Sequence, residues 1–248
     1  MSSAYLLVSH GSRDPRPEVA MQQLAKLVCN KSPNNYNPSS SEHLVGIAAL
    51  EMSPQPLHEQ IQLFAKSAFG DCPLSQNENR LKIVPLFLLP GVHVMTDIPA
   101  EVALAQQAIG QDIMIELQPH LGSHPNLEKL LAKQISTIKA EAWILLAHGS
   151  RRPGSKETVE AMAASLSAVA AYWAGPPSLE SQVKELVAAG YREIAILPYF
   201  LFAGGITDAI AASIEELKLQ FSAVNFRLAQ PLGASAELAE LIWDLTDR

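Results

Sequence analysis

Short apolar runs alternate along the chain with longer segments in which apolar residues recur every three or four positions. The runs cover residues 5–8, 83–89, 143–147 and 196–202, and the longer segments include 18–29 and 156–173. Continuous apolar runs of this length predict strands buried on both faces of a parallel sheet, with amphipathic helices covering it. The pattern therefore predicts a doubly wound α/β protein, in which ligands bind beyond the carboxyl ends of the strands.

Three sequence motifs occur twice, in the same order. His-Gly-Ser-Arg ends the first strand of each half, at residues 10–13 and 148–151. Similar apolar strands at 83–91 and 196–204 each lead to Thr-Asp, and Gln-Pro followed by Leu-Gly occurs at 118–122 and 230–233. Three ordered matches indicate a duplication. We therefore predict two tandem domains, an N-terminal one over residues 1–139 and a C-terminal, degenerate repeat over 140–248.

Composition narrows the class of protein. Hydrophobic residues make up 48% of the 248 residues, enough to form real cores, and the net charge of −7 argues against a general nucleic-acid binder. The N-terminus lacks a basic region, and no apolar run approaches the length of a membrane span. The two cysteines, Cys29 and Cys72, show no metal-ligand spacing. We expect a cytoplasmic protein without a membrane or nucleic-acid partner.

Three side chains are candidates for chemistry at the carboxyl ends of the strands. His10 follows the first strand, Glu51 ends the second apolar run, and His93 follows the third. Neutral imidazole can bind a metal or carry a proton near pH 7, and a carboxylate is more useful facing a cleft than facing a core. The alternatives without a functional role are that the histidine caps its loop and that the carboxylate is an ordinary solvated side chain. The second half keeps His148 but lacks the other two residues; aligning Leu57 with Leu179 places Trp173 opposite Glu51. This asymmetry favours one working site per chain.

Two imidazoles and one carboxylate suit a divalent first-row metal such as iron, cobalt or nickel, with coordination positions left open. A closed structural zinc site would need four fixed ligands. The sequence contains neither a glycine-rich phosphate-binding motif nor Gly-x-Ser-x-Gly, and this weakens nucleotide-binding and serine-hydrolase interpretations.

At these motifs the sequence resembles the class II chelatases that act on sirohydrochlorin, the CbiX/SirB type in its long, duplicated form. The resemblance spans nearly the whole chain and is carried by LLVSHGSRDPR, IAALE and VPLFLLPGVHVMTDIPAEV. It implies a lyase that inserts Fe²⁺ or Co²⁺ into sirohydrochlorin in sirohaem or cobalamin biosynthesis; the ligand set itself leaves Ni²⁺ as a third candidate. It also implies that His10, His93 and Glu51 are both the metal ligands and the catalytic residues, with no tightly bound cofactor.

The resemblance further implies a monomer that works as an internal pseudo-dimer, with pseudo-twofold symmetry and a cleft between its halves. Sirohydrochlorin carries many carboxylates, which an acidic chain must attract locally. Arginine pairs well with carboxylates, so Arg13 and Arg151 are candidate substrate contacts, with Arg16 and Arg152 nearby. The Ser12 hydroxyl is a further candidate. The alternative is that these arginines are ordinary surface charges. His148 either lines the cleft or holds its loop.

Three other functions fit parts of the sequence. A metal or tetrapyrrole carrier would use the same His-Glu-His set without inserting the metal. A chelatase for protoporphyrin would need a more apolar cleft, which an aromatic content of 6% mildly disfavours. A phosphatase-like hydrolase could use His10, but it would leave His93 unexplained.

Overall fold

Each half of the chain forms its own parallel sheet in the computed structural model, which describes residues 2–31, 45–70, 79–149 and 154–246. The first half contains β1 (Ser2–Ser9), α1 (Pro15–Cys29), β2 (Val45–Ala49), α2 (Leu57–Phe69), β3 (Asn79–Pro85), α3 (Ile98–Ile109), β4 (Met114–Leu117) and α4 (Leu127–Ser136). The second contains β5 (Ala142–Ala147), α5 (Ser155–Ser165), β6 (Val169–Tyr172), α6 (Leu179–Ala188), β7 (Glu193–Pro198), α7 (Gly205–Gln220), β8 (Asn225–Leu228) and α8 (Ala236–Thr246).

The strand order is β2-β1-β3-β4 in the first sheet and β6-β5-β7-β8 in the second. All pairs are parallel; Leu6, for example, pairs with Gly46 on one side and with Ile83 on the other. The predicted doubly wound α/β class is confirmed. In this order the connections leave β1 and β3 in opposite directions, which opens a crevice at the carboxyl ends of those two strands. The fold thus places its ligand-binding edge where His10 and His93 follow their strands.

Side chains alternate between the two faces of the first sheet. One face, which includes Leu6 and Ile83, packs with Ile61 of α2 and Ile98 of α3 in a single buried cluster. On the opposite face, the ring of Tyr5 lies 5.2 Å from that of Trp243 in α8. The second sheet buries an equivalent cluster between its strands and helices α6 and α7. Each sheet is therefore a rigid base for the loops at its carboxyl edge.

The compact units differ from the predicted domains 1–139 and 140–248. One unit comprises Met1–His124 together with Ala234–Arg248, and the other comprises Pro125–Gly233. The difference comes from the two closing helices, because α8 packs against α1 and β3 while α4 belongs to the second unit. Three polar contacts also anchor α8 to the first unit: Lys31–Glu240, Lys82 with the Thr246 carbonyl, and His124–Asp244.

We expect a fragment of residues 1–139, a complete sequence repeat, to fold poorly. It lacks α8, whose Leu238, Leu241, Ile242 and Leu245 are buried in the full chain. At about 1.5–3 kcal/mol for each side chain, the missing burial is comparable with the whole stability of a domain, about 5–15 kcal/mol. Circular dichroism with thermal unfolding measures the difference.

The matched control joins residues 1–124 to 234–248 through a flexible linker, which restores α8. This fragment should unfold cooperatively at a temperature well above that of 1–139. Equal stability of the two fragments would show that α8 contributes little to the first unit.

One segment differs from its sequence-based interpretation. The amphipathic stretch at 156–173 is not one helix, because α5 ends at Ser165 and residues Val169–Tyr172 form β6. Ser167 has a φ of 53°, which ends the helical conformation.

No helix in the described part of the chain is both long enough and apolar enough to cross a bilayer.

Candidate metal-binding site

His10 and Glu51 are brought together by the hydrogen-bond ladder between β1 and β2, which continues past the ends of both strands. The backbone N–H of Leu50 donates to the Ser9 carbonyl, and that of Glu51 donates to the His10 carbonyl, both at 2.9 Å. Parallel pairing therefore fixes Glu51 beside His10 before either side chain makes a contact.

Gly11 allows this close approach. Its φ is 95°, and a Cβ at this position would lie 1.9 Å from the carbonyl oxygen of Glu51. Only glycine combines that left-handed conformation with so little space. The Gly of the repeated His-Gly-Ser-Arg motif thus lets the Glu51 backbone pack directly against the His10 loop.

His93 begins a π-helical turn, His93–Asp97, immediately before α3. The backbone N–H of Ile98 donates to the His93 carbonyl, five residues earlier, which defines this wider turn. In the second half the corresponding segment between Gly204 and Thr207 is two residues shorter, and it forms an ordinary helix start capped by the Thr207 hydroxyl. The two extra residues are thus accommodated as the π-turn that carries the second histidine.

The structure brings the three side chains together at the edge of the first sheet. One ligand atom from each of His10, Glu51 and His93 lies within 4.8 Å of the other two. Glu51 is central: its Oε2 is 3.9 Å from His10 Nε2 and its Oε1 is 4.0 Å from His93 Nε2. These distances exceed hydrogen-bond length. They also leave room for an ion with bonds of about 2.0–2.2 Å after a small inward movement of the side chains.

The cluster is open on one side. The exposed fractions of the side chains are 52% for His10, 44% for Glu51 and 32% for His93. Three neighbours along the chain, Met52, Val92 and Met95, are large apolar residues that are more than half exposed. Met52 also has a φ of 60°, an uncommon conformation for a residue with a side chain. Exposed apolar side chains this close along the chain to Glu51 and His93 are candidates for contact with a ligand.

Sequence reasoning overlooked Phe87. Its ring centroid lies 6.4 Å from that of His10 and 6.2 Å from that of His93, and the two imidazole rings meet edge to face at 4.8 Å. Phe87 is half-buried and packs on the core beneath α2 and α3. It therefore supports both histidines from the core side. The available signal was the Pro-x-Phe repeat, since Phe200 occupies the same position in the second half.

The residues proposed to contact substrate carboxylates have different surroundings. Ser12 accepts a hydrogen bond from the Asp14 backbone N–H at 3.0 Å, so it shapes the loop. Arg16 is engaged by Asp14, and its side-chain hydrogen bond lowers the pKa of Asp14 to about 2. Arg13 is exposed. Arg151 and its neighbours Ser150 and Arg152 lie outside the described residues.

The second unit repeats the loop geometry without the chemistry. The Ala174 backbone N–H donates to the His148 carbonyl at 2.8 Å, and Gly149 has a φ of 92°. The counterpart of Glu51 is therefore Ala174. The predicted counterpart, Trp173, is wrong by one residue because the loop before α6 is one residue shorter than the loop before α2. Within 2–31, 45–70, 79–149 and 154–246, no second group of three metal-binding side chains occurs.

These observations define an α/β protein with a candidate divalent-metal site at the switch point of its first sheet. The chain belongs to the CbiX family, whose model matches residues 4–138 and again 142–248.

Two relatives of this chain are named for metal insertion into sirohydrochlorin. The chain is 26% identical over 190 residues to a sirohydrochlorin ferrochelatase of Priestia megaterium, covering 71% of this chain and 70% of the relative. It is 21% identical over 193 residues to a sirohydrochlorin cobaltochelatase of the same organism, covering 69% and 61%. The fold is similar to that of SirB from Bacillus subtilis with Fe³⁺, with a TM-score of 0.72, 21% identity, and coverage of 100% of this chain and 95% of that one.

Proposed function

We propose that the protein is a sirohydrochlorin chelatase, a lyase that inserts a divalent metal into this tetrapyrrole. The observation that carries the proposal is the His10–Glu51–His93 cluster, open on one side, in a chain of the CbiX family. The curated relatives named for iron and for cobalt insertion support both metals as substrates. The products would serve sirohaem or cobalamin biosynthesis.

The cluster supplies what metal insertion requires. Three protein ligands hold the incoming ion and leave coordination positions open toward the macrocycle. Insertion releases two pyrrole N–H protons as metal–nitrogen bonds form. Each protein ligand that dissociates from the metal regains a basic lone pair, so the three ligands provide enough acceptors for the two protons. The carboxylate of Glu51 between the imidazoles balances the charge of the bound ion.

The surroundings fit a large, flat and acidic substrate. The exposed apolar side chains of Met52, Val92 and Met95 suit the face of a macrocycle, which a carrier of free metal ions would not need. The exposed Arg13 lies three residues from His10, and we propose that it pairs with a substrate carboxylate. Ser12 and Arg151 remain further candidates for such contacts.

An anaerobic insertion assay tests the proposal. Purified protein is mixed with sirohydrochlorin and Fe²⁺, Co²⁺ or Ni²⁺, and the absorbance change of the macrocycle is followed against the uncatalysed rate. We expect acceleration with iron or cobalt. Binding of metal and tetrapyrrole without acceleration would instead identify a carrier, and acceleration with protoporphyrin alone would identify a different chelatase.

We also propose that one chain suffices for activity, because each unit has its own four-stranded sheet and buried core. Sedimentation of the active protein should show a monomer. A cytoplasmic location remains a prediction from the cysteine content.

A further inference from the structure

His93 makes one close polar contact whose purpose metal binding alone does not explain. Its Nδ1 lies 2.7 Å from Oδ2 of Asp97, whereas its Nε2 is the nitrogen closest to Glu51. The two ring nitrogens thus have different partners. Asp97 is 41% exposed, so this contact is not forced on the carboxylate by burial.

The contact determines which nitrogen carries the ring proton. A carboxylate only accepts hydrogen bonds, and a neutral imidazole has one N–H donor and one lone-pair acceptor. At 2.7 Å, Nδ1 must therefore be the donor. The lone pair is then on Nε2, directed into the cluster, which is the form that binds a metal.

We infer that Asp97 is a positioning residue that holds His93 in the tautomer with its proton on Nδ1, so that Nε2 is ready to bind the metal. The inference rests on the proposed function only in taking His93 as a metal ligand. A carboxylate behind a ligating histidine also fixes the orientation of its ring.

The π-turn provides the geometry for this contact. Residues four apart lie on one face of a helical turn, so Asp97 falls beside the ring of His93. The second half keeps Thr207-Asp208 but lacks the two inserted residues and the histidine. There Asp208 lies in the first turn of α7, a common position for an acidic residue that interacts favourably with the helix dipole. A substitution of Asp208 is therefore the matched control: it removes an acidic residue from a helix start without removing a partner of a histidine.

The tautomer can be measured directly in metal-free protein. Long-range ¹H–¹⁵N correlation spectra at about pH 8, where an unperturbed imidazole is neutral, report which ring nitrogen is protonated, and His93→Gln identifies the signal. We expect the wild-type proton on Nδ1. Asp97→Asn should retain it, because the amide oxygen still accepts, whereas Asp97→Ala should move it toward Nε2. A wild-type proton on Nε2, or an unchanged tautomer in Asp97→Ala, would overturn the inference.

Metal affinity gives a second readout without any tetrapyrrole. Titration with Co²⁺ should show binding weakened about 10- to 100-fold in Asp97→Ala, less in Asp97→Asn, and unchanged in Asp208→Asn. Wild-type affinity in Asp97→Ala, or an equal loss in Asp208→Asn, would contradict the inference. The correct tautomer and affinities without insertion activity would refute the proposed function alone. Insertion activity with a wild-type proton on Nε2 would refute this inference alone.

Discussion

His10→Ala and His93→Ala are each expected to lower the rate of metal insertion into sirohydrochlorin by more than about 100-fold. Even removing an outer partner of a metal ligand costs about 10- to 100-fold in affinity or activity, and here the ligand itself is lost from a set of three. The His10 side chain is 52% exposed and the His93 side chain 32% exposed, so the substitutions should leave folding intact. The initial rate with Fe²⁺ or Co²⁺, measured at several metal concentrations, gives the effect.

His148→Ala is the matched control. His148 follows β5 as His10 follows β1, but Ala174 stands where Glu51 would complete a cluster. We expect the insertion rate to change by no more than about twofold, as for an exposed residue outside a site. A loss equal to that of His10→Ala would mean that both halves contribute chemistry, against the assignment of one working site.

Gly11→Ala is expected to lower the insertion rate by about 100-fold, although no ligand is changed. The new Cβ would meet the Glu51 carbonyl oxygen at 1.9 Å, so the backbone that carries Glu51 must move. A displacement of about 1 Å at a reacting centre can cost about 100-fold in rate. The left-handed φ adds about 1–2 kcal/mol of strain to the folded state. Insertion rates and melting temperatures should be measured on the same preparations.

Gly149→Ala is the matched control that introduces backbone strain without displacing Glu51. Gly149 has nearly the same φ, 92°, but the nearest atom to its added Cβ is Cβ of Tyr172 at 3.2 Å. We expect a smaller fall in melting temperature than in Gly11→Ala, because the added Cβ strains the backbone without a backbone clash, and an insertion rate within about twofold of wild type. If the two variants lost activity equally, backbone strain rather than movement of Glu51 would explain the effect.

The sequence was sufficient to predict the fold class and the three residues that the structure brings together. Continuous apolar strands predicted parallel sheets, and in such sheets residues after neighbouring strands meet at one edge. His10, Glu51 and His93 each follow a strand, so their proximity depends only on strand order. The asymmetry between the halves followed from the missing histidine and the missing glutamate, and neither Trp173 nor Ala174 at the position of Glu51 changes it.

Other features depend on information that the pattern does not contain. An amphipathic helix shows which of its faces is buried but not which sheet it covers, so the positions of α4 and α8 were not predictable. The one-residue difference before α6 shifted the counterpart of Glu51 from Trp173 to Ala174, since only the hydrogen-bond ladder fixes that register. The contact between His93 and Asp97 lies within a π-turn, which has no sequence signature of its own.

The position of α8 also affects the order in which the protein can fold during synthesis. The N-terminal unit contains the cluster, but one face of its sheet is covered by a helix that begins at Ala236. Domains usually fold as their segments emerge from the ribosome, N-terminal first. Here the first sheet must wait for residues 236–246, after the second unit has been translated. The intervening unit can fold earlier, so the unit that carries the His10–Glu51–His93 cluster is the last to be completed.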